Sequence, residues 1–200
     1  ENSDFAYVRG LVLSLSMIET NGFSASLDYT FQIAKGSASD PQQARNAIAG
    51  GSLPEIQLTP LDWDQRNTVN VSLSYDRANW GISGIGQFGS GLPYTPLSTE
   101  DISSLVLNSG KKPLTLNVDL KGYFIPRDGL RLFIRAENIF DRLNPYTVYD
   151  DSGVADFTRW ENIAKSQNTG EPVNSISKWF LNETFYSNPR RIELGLSYVF

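Results

Sequence analysis

Arg191-Ile192-Glu193-Leu194-Gly195-Leu196-Ser197-Tyr198-Val199-Phe200 is the stretch on which the fold turns. From Ile192 every second residue is apolar, through Leu194, Leu196 and Tyr198 to Phe200, while Glu193, Gly195 and Ser197 stand between them. A period of two places these sets on opposite faces of an extended strand. Chain termini of soluble domains fray and are seldom strongly apolar. An aromatic last residue on the apolar face instead reads as the rim of a membrane β-barrel.

Six earlier segments alternate in the same way. Around residues 5–18, Phe5, Tyr7, Leu11, Leu13, Leu15 and Met17 share one parity. Phe23, Ala25, Leu27, Tyr29, Phe31 and Ile33 alternate with Ser24, Ser26, Asp28, Thr30 and Gln32. Val69, Val71, Leu73 and Tyr75 follow, then a glycine-rich run over 80–89 with Trp80, Ile82 and Phe88 in phase. Leu114, Leu116, Val118, Leu120 and Phe124 form the fifth set, and Leu130, Leu132, Ile134 and Ala136 the sixth. The opposite parity of these strands carries Asp28, Asp119, Lys121, Arg131, Arg135 and Glu137, which the pattern sends into a wet lumen.

The connections alternate in length. Short turns fall at 19–22, 76–79 and 126–129, and long loops at 35–66, 90–113 and 141–189. Outer-membrane barrels have short periplasmic turns and long extracellular loops. Counted back from Phe200, every short turn lies on the side of the C-terminus, which makes that end periplasmic and the long loops extracellular. Phe23, Tyr75, Trp80, Phe124, Tyr198 and Phe200 cluster at the short-turn ends, and Phe5, Tyr7, Phe31 and Phe88 near the long loops. Two such bands are expected of interfacial aromatic girdles. A soluble β-sandwich would instead gather its large side chains mid-strand, where Leu, Val, Ile and Ala stand here. The expected fold is all-β, an antiparallel transmembrane β-barrel segment of about seven strands. Closed bacterial barrels begin at about eight strands and use even numbers, so residues 1–200 read as the C-terminal part of a larger barrel.

Composition agrees. Apolar residues make up 40% and charged residues 20%, which excludes both a disordered chain and a helical membrane protein. There is no cysteine and no histidine, removing thiolate chemistry, disulfides and the commonest general base and metal ligand. The net charge of −5 argues against a nucleic-acid partner. No signal peptide precedes Glu1, so a mature chain or a fragment is expected.

The long loops carry local signals. Asp40 before Pro41 predicts a helix over residues 42–48 closed by Gly50. Ser98-Thr99-Glu100-Asp101 reads as a capping box opening a helix towards Leu107, and Asp156 as the cap of a third through Trp160. Tyr146, Tyr149, Trp160 and Trp179 are candidates to stack on a bound ligand or to pack the loop. Asp150, Asp151 and Asp156 cluster carboxylates of the kind calcium takes, without EF-hand spacing, so calcium is the one cofactor to weigh beside a solvated turn.

Several strings resemble the C-terminal barrel of TonB-dependent outer-membrane receptors, over essentially the whole chain. They are Asp28-Tyr29-Thr30-Phe31 with Ala34-Lys35-Gly36, Leu61-Asp62-Trp63-Asp64-Gln65-Arg66, and Ser90-Gly91-Leu92-Pro93-Tyr94-Thr95-Pro96. Glu137-Asn138-Ile139-Phe140-Asp141-Arg142 and Pro189-Arg190-Arg191 complete the series. Asn67 stands where the family pattern favours histidine. The resemblance implies a barrel of about 22 strands around a plug, with the plug, the energy-coupling segment and the earlier strands outside this chain. It implies active uptake of a scarce extracellular nutrient such as a siderophore, oligosaccharide or peptide, with no covalent chemistry. Its implied partners are outer-membrane lipid, the rest of the barrel and plug, TonB through the absent N-terminal part, and a surface lipoprotein. Glu193, Gly195, Tyr198 and Phe200 also look like the signal read by the barrel-assembly machinery through strand addition. The rival from another class is an outer-membrane structural or adhesion barrel whose loops bind a partner without transport.

Overall fold

The computed structural model of the protein describes residues 5–37, 42–51, 58–97, 106–168 and 175–199. Its elements run β1 (Ala6–Thr20), β2 (Phe23–Gly36), α1 (Gln43–Ala49), β3 (Thr59–Pro60), β4 (Asn67–Asp76), β5 (Trp80–Gly89), β6 (Pro93–Tyr94) and β7 (Gly110–Lys111). They continue through β8 (Thr115–Arg127), β9 (Leu130–Glu137), α2 (Arg159–Gln167), α3 (Ile176–Phe180), a 3-10 turn (Glu183–Phe185) and β10 (Arg191–Tyr198). The chain is all-β in character, and no described helix is long and apolar enough to cross a membrane.

Seven long strands form one antiparallel sheet in chain order, β1-β2-β4-β5-β8-β9-β10. β3 adds to the loop end of β2, and β6 pairs with β7 as a separate small ladder. The long strands run from 8 to 15 residues, bracketing the roughly 9–11 that a tilted strand needs to cross a bilayer.

Register explains why the alternating pattern produces this sheet. Residues directly opposite one another share a face, and outside two irregularities beside the short turns the pairing keeps the two parities in phase. Met17 faces Ala25, Ala25 faces Leu73, Leu73 faces Gly84 and Gly84 faces Leu120; Leu120 then faces Ala136 and Ala136 faces Ile192. The other parity gives Ser14, Asp28, Asn70, Gln87 and Asn117 as one transverse row. A slip of one residue in any pairing would mix the rows. Register shifts do occur, between Met17 and Thr20 and between Phe124 and Arg127, both beside short turns.

The apolar face is not a core. Among the described residues the buried apolar side chains are Ala34, Leu61, Val148 and Ala155, all at the loop end. Leu27 and Leu116 are half-buried, whereas Leu73 is 48% and Leu194 79% exposed. No second sheet covers them among the described residues. Monomeric soluble proteins rarely leave so wide an apolar surface uncovered, so the sandwich expectation fails.

The short-turn end is built from the expected chemistry. Asn21 and Gly22 take φ of 54° and 84°, the two positive values that a two-residue type I′ hairpin requires. Phe23 pairs with Tyr75 and Trp80 with Phe124, and the Tyr75 and Trp80 rings lie 5.5 Å apart. Arg77 lies over Tyr75 at 4.8 Å and Arg127 over Tyr198 at 5.7 Å. A row of rings topped by guanidinium groups suits a boundary that is greasy on one side and wet on the other. Phe200 lies outside the described residues.

The polar face carries two rings of its own, each laid over a glycine on the neighbouring strand. Gly195 faces Phe133 and Gly81 faces Tyr123. A Cβ on Gly195 would stand 2.7 Å from Cε2 of Phe133 and closer still to two other ring atoms. The glycine is therefore what lets the ring lie flat across β10.

The sequence expectation of helix starts needs one correction. The third helix is capped by Thr158, whose hydroxyl accepts from the Trp160 amide, and it runs on to Gln167. Asp156 is exposed and does not cap it, because Asp151 reaches that end first and accepts from the Arg159 amide and the Thr158 hydroxyl, both at 2.7 Å. The first expected helix is present as α1, although Asp40 and Pro41 lie outside the described residues. The expected helix after Ser98 falls mostly outside them too; Leu107 and Asn108 form a turn, and Gly110 enters β7.

Candidate functional site

At the loop end, polar side chains replace the ladder bonds that the strands no longer supply. Asp64 is fully buried and accepts from the Ala34 amide at 2.7 Å and from Arg66 Nε at 2.7 Å, fastening the end of the first long loop to β2. Asn67 accepts from the Tyr29 hydroxyl at 2.8 Å. In the second loop, Asn108 (φ 55°) donates to the Pro60 carbonyl and the Asp62 carboxylate, tying that loop to the first.

The third loop is sewn at its root by two buried asparagines. Asn138, at φ 49°, donates to the carbonyls of Arg142 and Asn188 and accepts from the Arg142 amide. Its own amide donates to Asp119 at 2.8 Å. Asn144 exchanges two hydrogen bonds with the backbone of Leu116, standing in for a strand partner of β8. Its backbone N–H donates to Ser187 Oγ, and the Ser187 N–H donates back to its carbonyl. Residues on either side of the loop are thereby held together at its root.

Above this root lies a hollow of about 620 Å³ on the polar face, lined by Gln87, Asn117, Asp119, Glu137, Asn144 and Tyr146 among others. A second hollow of about 230 Å³ shares Gln87, Asn117, Asn144 and Tyr146 with it. The larger hollow is walled by amides, by the carboxylates of Asp119 and Glu137, by Arg190 and Arg191, and by one exposed phenol ring.

The sequence candidates are divided by the structure. Tyr146 is 62% exposed and lines both hollows. Tyr149 serves the loop itself: its hydroxyl donates to the Phe180 carbonyl and its ring lies 5.0 Å from Phe185. Burial, then the neighbouring Asp151 and Glu161, push its phenol above the ordinary range. Trp160 and Trp179 lie on α2 and α3, both exposed, Trp179 at 84%. Glu161 joins those helices. It pairs with Lys165 at 2.6 Å and takes a hydrogen bond from Ser177, which together hold its carboxyl below the usual range.

Asp150, Asp151 and Asp156 are not gathered into one group; among the described residues no three acidic side chains come together where a metal ion would need them. Asp28, Asp119, Lys121, Arg131, Arg135 and Glu137 all share the polar face, as their parity requires. Glu193 and Gly195 lie on that face of β10, and Tyr198 on the apolar one. Sequence reasoning missed the anchoring roles of Asp64, Asn138 and Asn144. The first two sit inside quoted strings, and the positive φ of Asn138 is the use to which asparagine is suited.

No family model matches the chain, and no curated protein matches it. A solved structure that does match is the TonB-dependent receptor FpvA of P. aeruginosa, bound to a heterologous pyoverdine and iron. The likeness has 13% sequence identity and a TM-score of 0.57, and it covers 96% of this chain. The fold is TonB-dependent-receptor-like. The chain spans 19% of the length of FpvA, so it corresponds to about one fifth of such a barrel protein.

Proposed function

We propose that this chain is the C-terminal part of the barrel of an outer-membrane, TonB-dependent receptor that takes up an extracellular nutrient. The observation that carries the reading is the two-faced sheet. A continuous apolar face is exposed on one side, a continuous polar face lies on the other, and described residues of the long loops are tied to one another at one end. Apolar-out alternation over strands of this length is what a bilayer stabilises. The likeness to FpvA supports the receptor class.

In this reading lipid covers the row from Met17 to Ile192, and the polar row faces the lumen and a plug supplied by the rest of the protein. The hollow around Tyr146 is the outward-facing ligand surface, and the work of transport comes from TonB acting on the part of the protein outside this chain. Binding is non-covalent throughout.

The experiment is a topology test in the full-length protein. An epitope inserted at Asp150-Asp151 should be labelled on intact cells, with the protein recovered in the outer-membrane fraction. Labelling only after the outer membrane is breached would reverse the orientation, and recovery as a soluble periplasmic protein would end the barrel reading. Loss of uptake in a strain lacking TonB separates transport from simple adhesion.

A further inference from the structure

The apolar face of the sheet is not free of charge. Among the described residues, the charged side chains at its paired positions are Arg9, Lys35 and Arg127, all of them cations. Arg127 stands at the short-turn end, next to Asp128 in the chain. Arg9 and Lys35 stand together at the loop end, on β1 and β2.

Register fixes their spacing. Arg9 lies opposite Ile33 and Lys35 opposite Tyr7, so the two cations are diagonal neighbours on one face. Diagonal positions of an antiparallel pair lie about 7–8 Å apart, within reach of long side chains. The Tyr7 ring links them: the Arg9 guanidinium lies 6.0 Å from its centroid, and Lys35 stands directly across from it. Arg9 is exposed and Lys35 half-buried.

No described acid answers these charges. Neither cation forms an ion pair among the described residues. The described acids of the first long loop are engaged elsewhere: Asp64 is buried against Arg66, and Asp62 accepts from Asn108. Asp28 of β2 belongs to the opposite face. Towards the middle of the sheet the same face continues without charge, through Leu11, Leu13 and Leu15 beside Phe31, Tyr29 and Leu27. Leu11, next in the row after Arg9, is 61% exposed.

Long basic side chains lay their stems on apolar surface and carry their charge to the polar boundary. An anionic lipid fits that arrangement at both ends, its phosphate against the cations and its chains along the leucines. A free phosphate would meet the charges and leave the strip beside them bare. We infer that Arg9 and Lys35 hold the phosphate of an anionic lipid in the leaflet at the loop end. The inference rests on the reading of the apolar face as lipid-covered, and it concerns the opposite face from the Tyr146 hollow.

The test uses the purified full-length protein in neutral detergent, titrated with lipid A, with phosphatidylcholine or with inorganic phosphate. Its readouts are the thermal midpoint and the lipid retained in native mass spectrometry. Lipid A should be retained and raise the midpoint, whereas net-neutral phosphatidylcholine and inorganic phosphate should not. Arg9→Gln and Lys35→Gln should each weaken retention about fivefold, the effect of one cation at an anionic surface. Arg9→Lys should keep most of it, and Arg131→Gln, which removes a cation from the polar face, should leave it unchanged. Equal retention by the parent and both glutamine variants overturns the inference, as does an equal rise with inorganic phosphate. So does a midpoint already lowered in the variants before any lipid is added, which marks a partner inside the protein. Those results in variants recovered from the outer membrane sink the lipid site alone; a protein recovered as soluble ends the barrel reading itself.

Discussion

Substituting Gly195 by alanine offers a test that separates packing from recognition. The new Cβ would approach Cε2 of Phe133 to 2.7 Å, with two other ring atoms nearer, whereas ordinary contact begins at 3.4 Å. The ring must therefore withdraw by the better part of an ångström or more. It has one easy escape, a change of rotamer that lifts it off β10 away from the sheet and forfeits its cover of the strand. Overpacking of this kind costs about 1–3 kcal/mol, and because Phe133 is half-buried the lower half of that range applies. About 1.4 kcal/mol is a tenfold change in the folding equilibrium. The assay is the thermal midpoint of the full-length protein in detergent, read as loss of heat-modifiable mobility, together with its abundance in the outer membrane. Gly195→Ala should lower both. The double substitution Gly195→Ala with Phe133→Ala removes the collision, and it should recover abundance relative to Gly195→Ala alone. If glycine is instead read by the assembly machinery, the double variant stays as poorly assembled as the single one. A Gly195→Ala protein as stable and abundant as the parent would refute the packing argument outright.

Three further outcomes are expected. Asp64→Ala strips the Ala34 amide and Arg66 of a buried partner, at a cost of about 3 kcal/mol, and limited proteolysis should then cut near residues 58–66; equal resistance would count against that anchor. For Glu161, the folded carboxyl titrates below its unfolded value, so its contribution is present above about pH 4.3 and is lost as pH falls through the lower folded value. Acidification should separate α2 from α3 and change the emission of Trp160 or Trp179, and Glu161→Gln should abolish that acid-dependent step; an unchanged step would assign it to another group. Tyr146→Ala should weaken ligand binding by about tenfold while leaving the unfolding free energy within about 0.5 kcal/mol of the parent, as is usual for an exposed side chain; undiminished uptake would move the ligand surface elsewhere.

The alternation of residues determined most of the fold. Seven strands, three short turns and the division of Leu27, Leu73 and Leu194 from Asp28, Ser72 and Glu193 all follow from a period of two, because one residue of slip inverts a face. Even the Asn21-Gly22 hairpin is a local matter, since both residues accept positive φ. What lay beyond the sequence was decided by contacts between residues far apart along the chain. That Thr158 and not Asp156 caps α2 depends on Asp151 folding back onto it. That Asn144 acts as a strand partner depends on Leu116, 28 positions earlier, having unpaired backbone groups at the sheet's end. The Lys121–Arg135 pair needs register as well as parity: the two stand opposite one another only because the Asp128-Gly129 turn and the irregularity before Arg127 set β9 against β8 at that offset. Period is a property of one strand, whereas a site is a property of several, and only their pairing brings its members together.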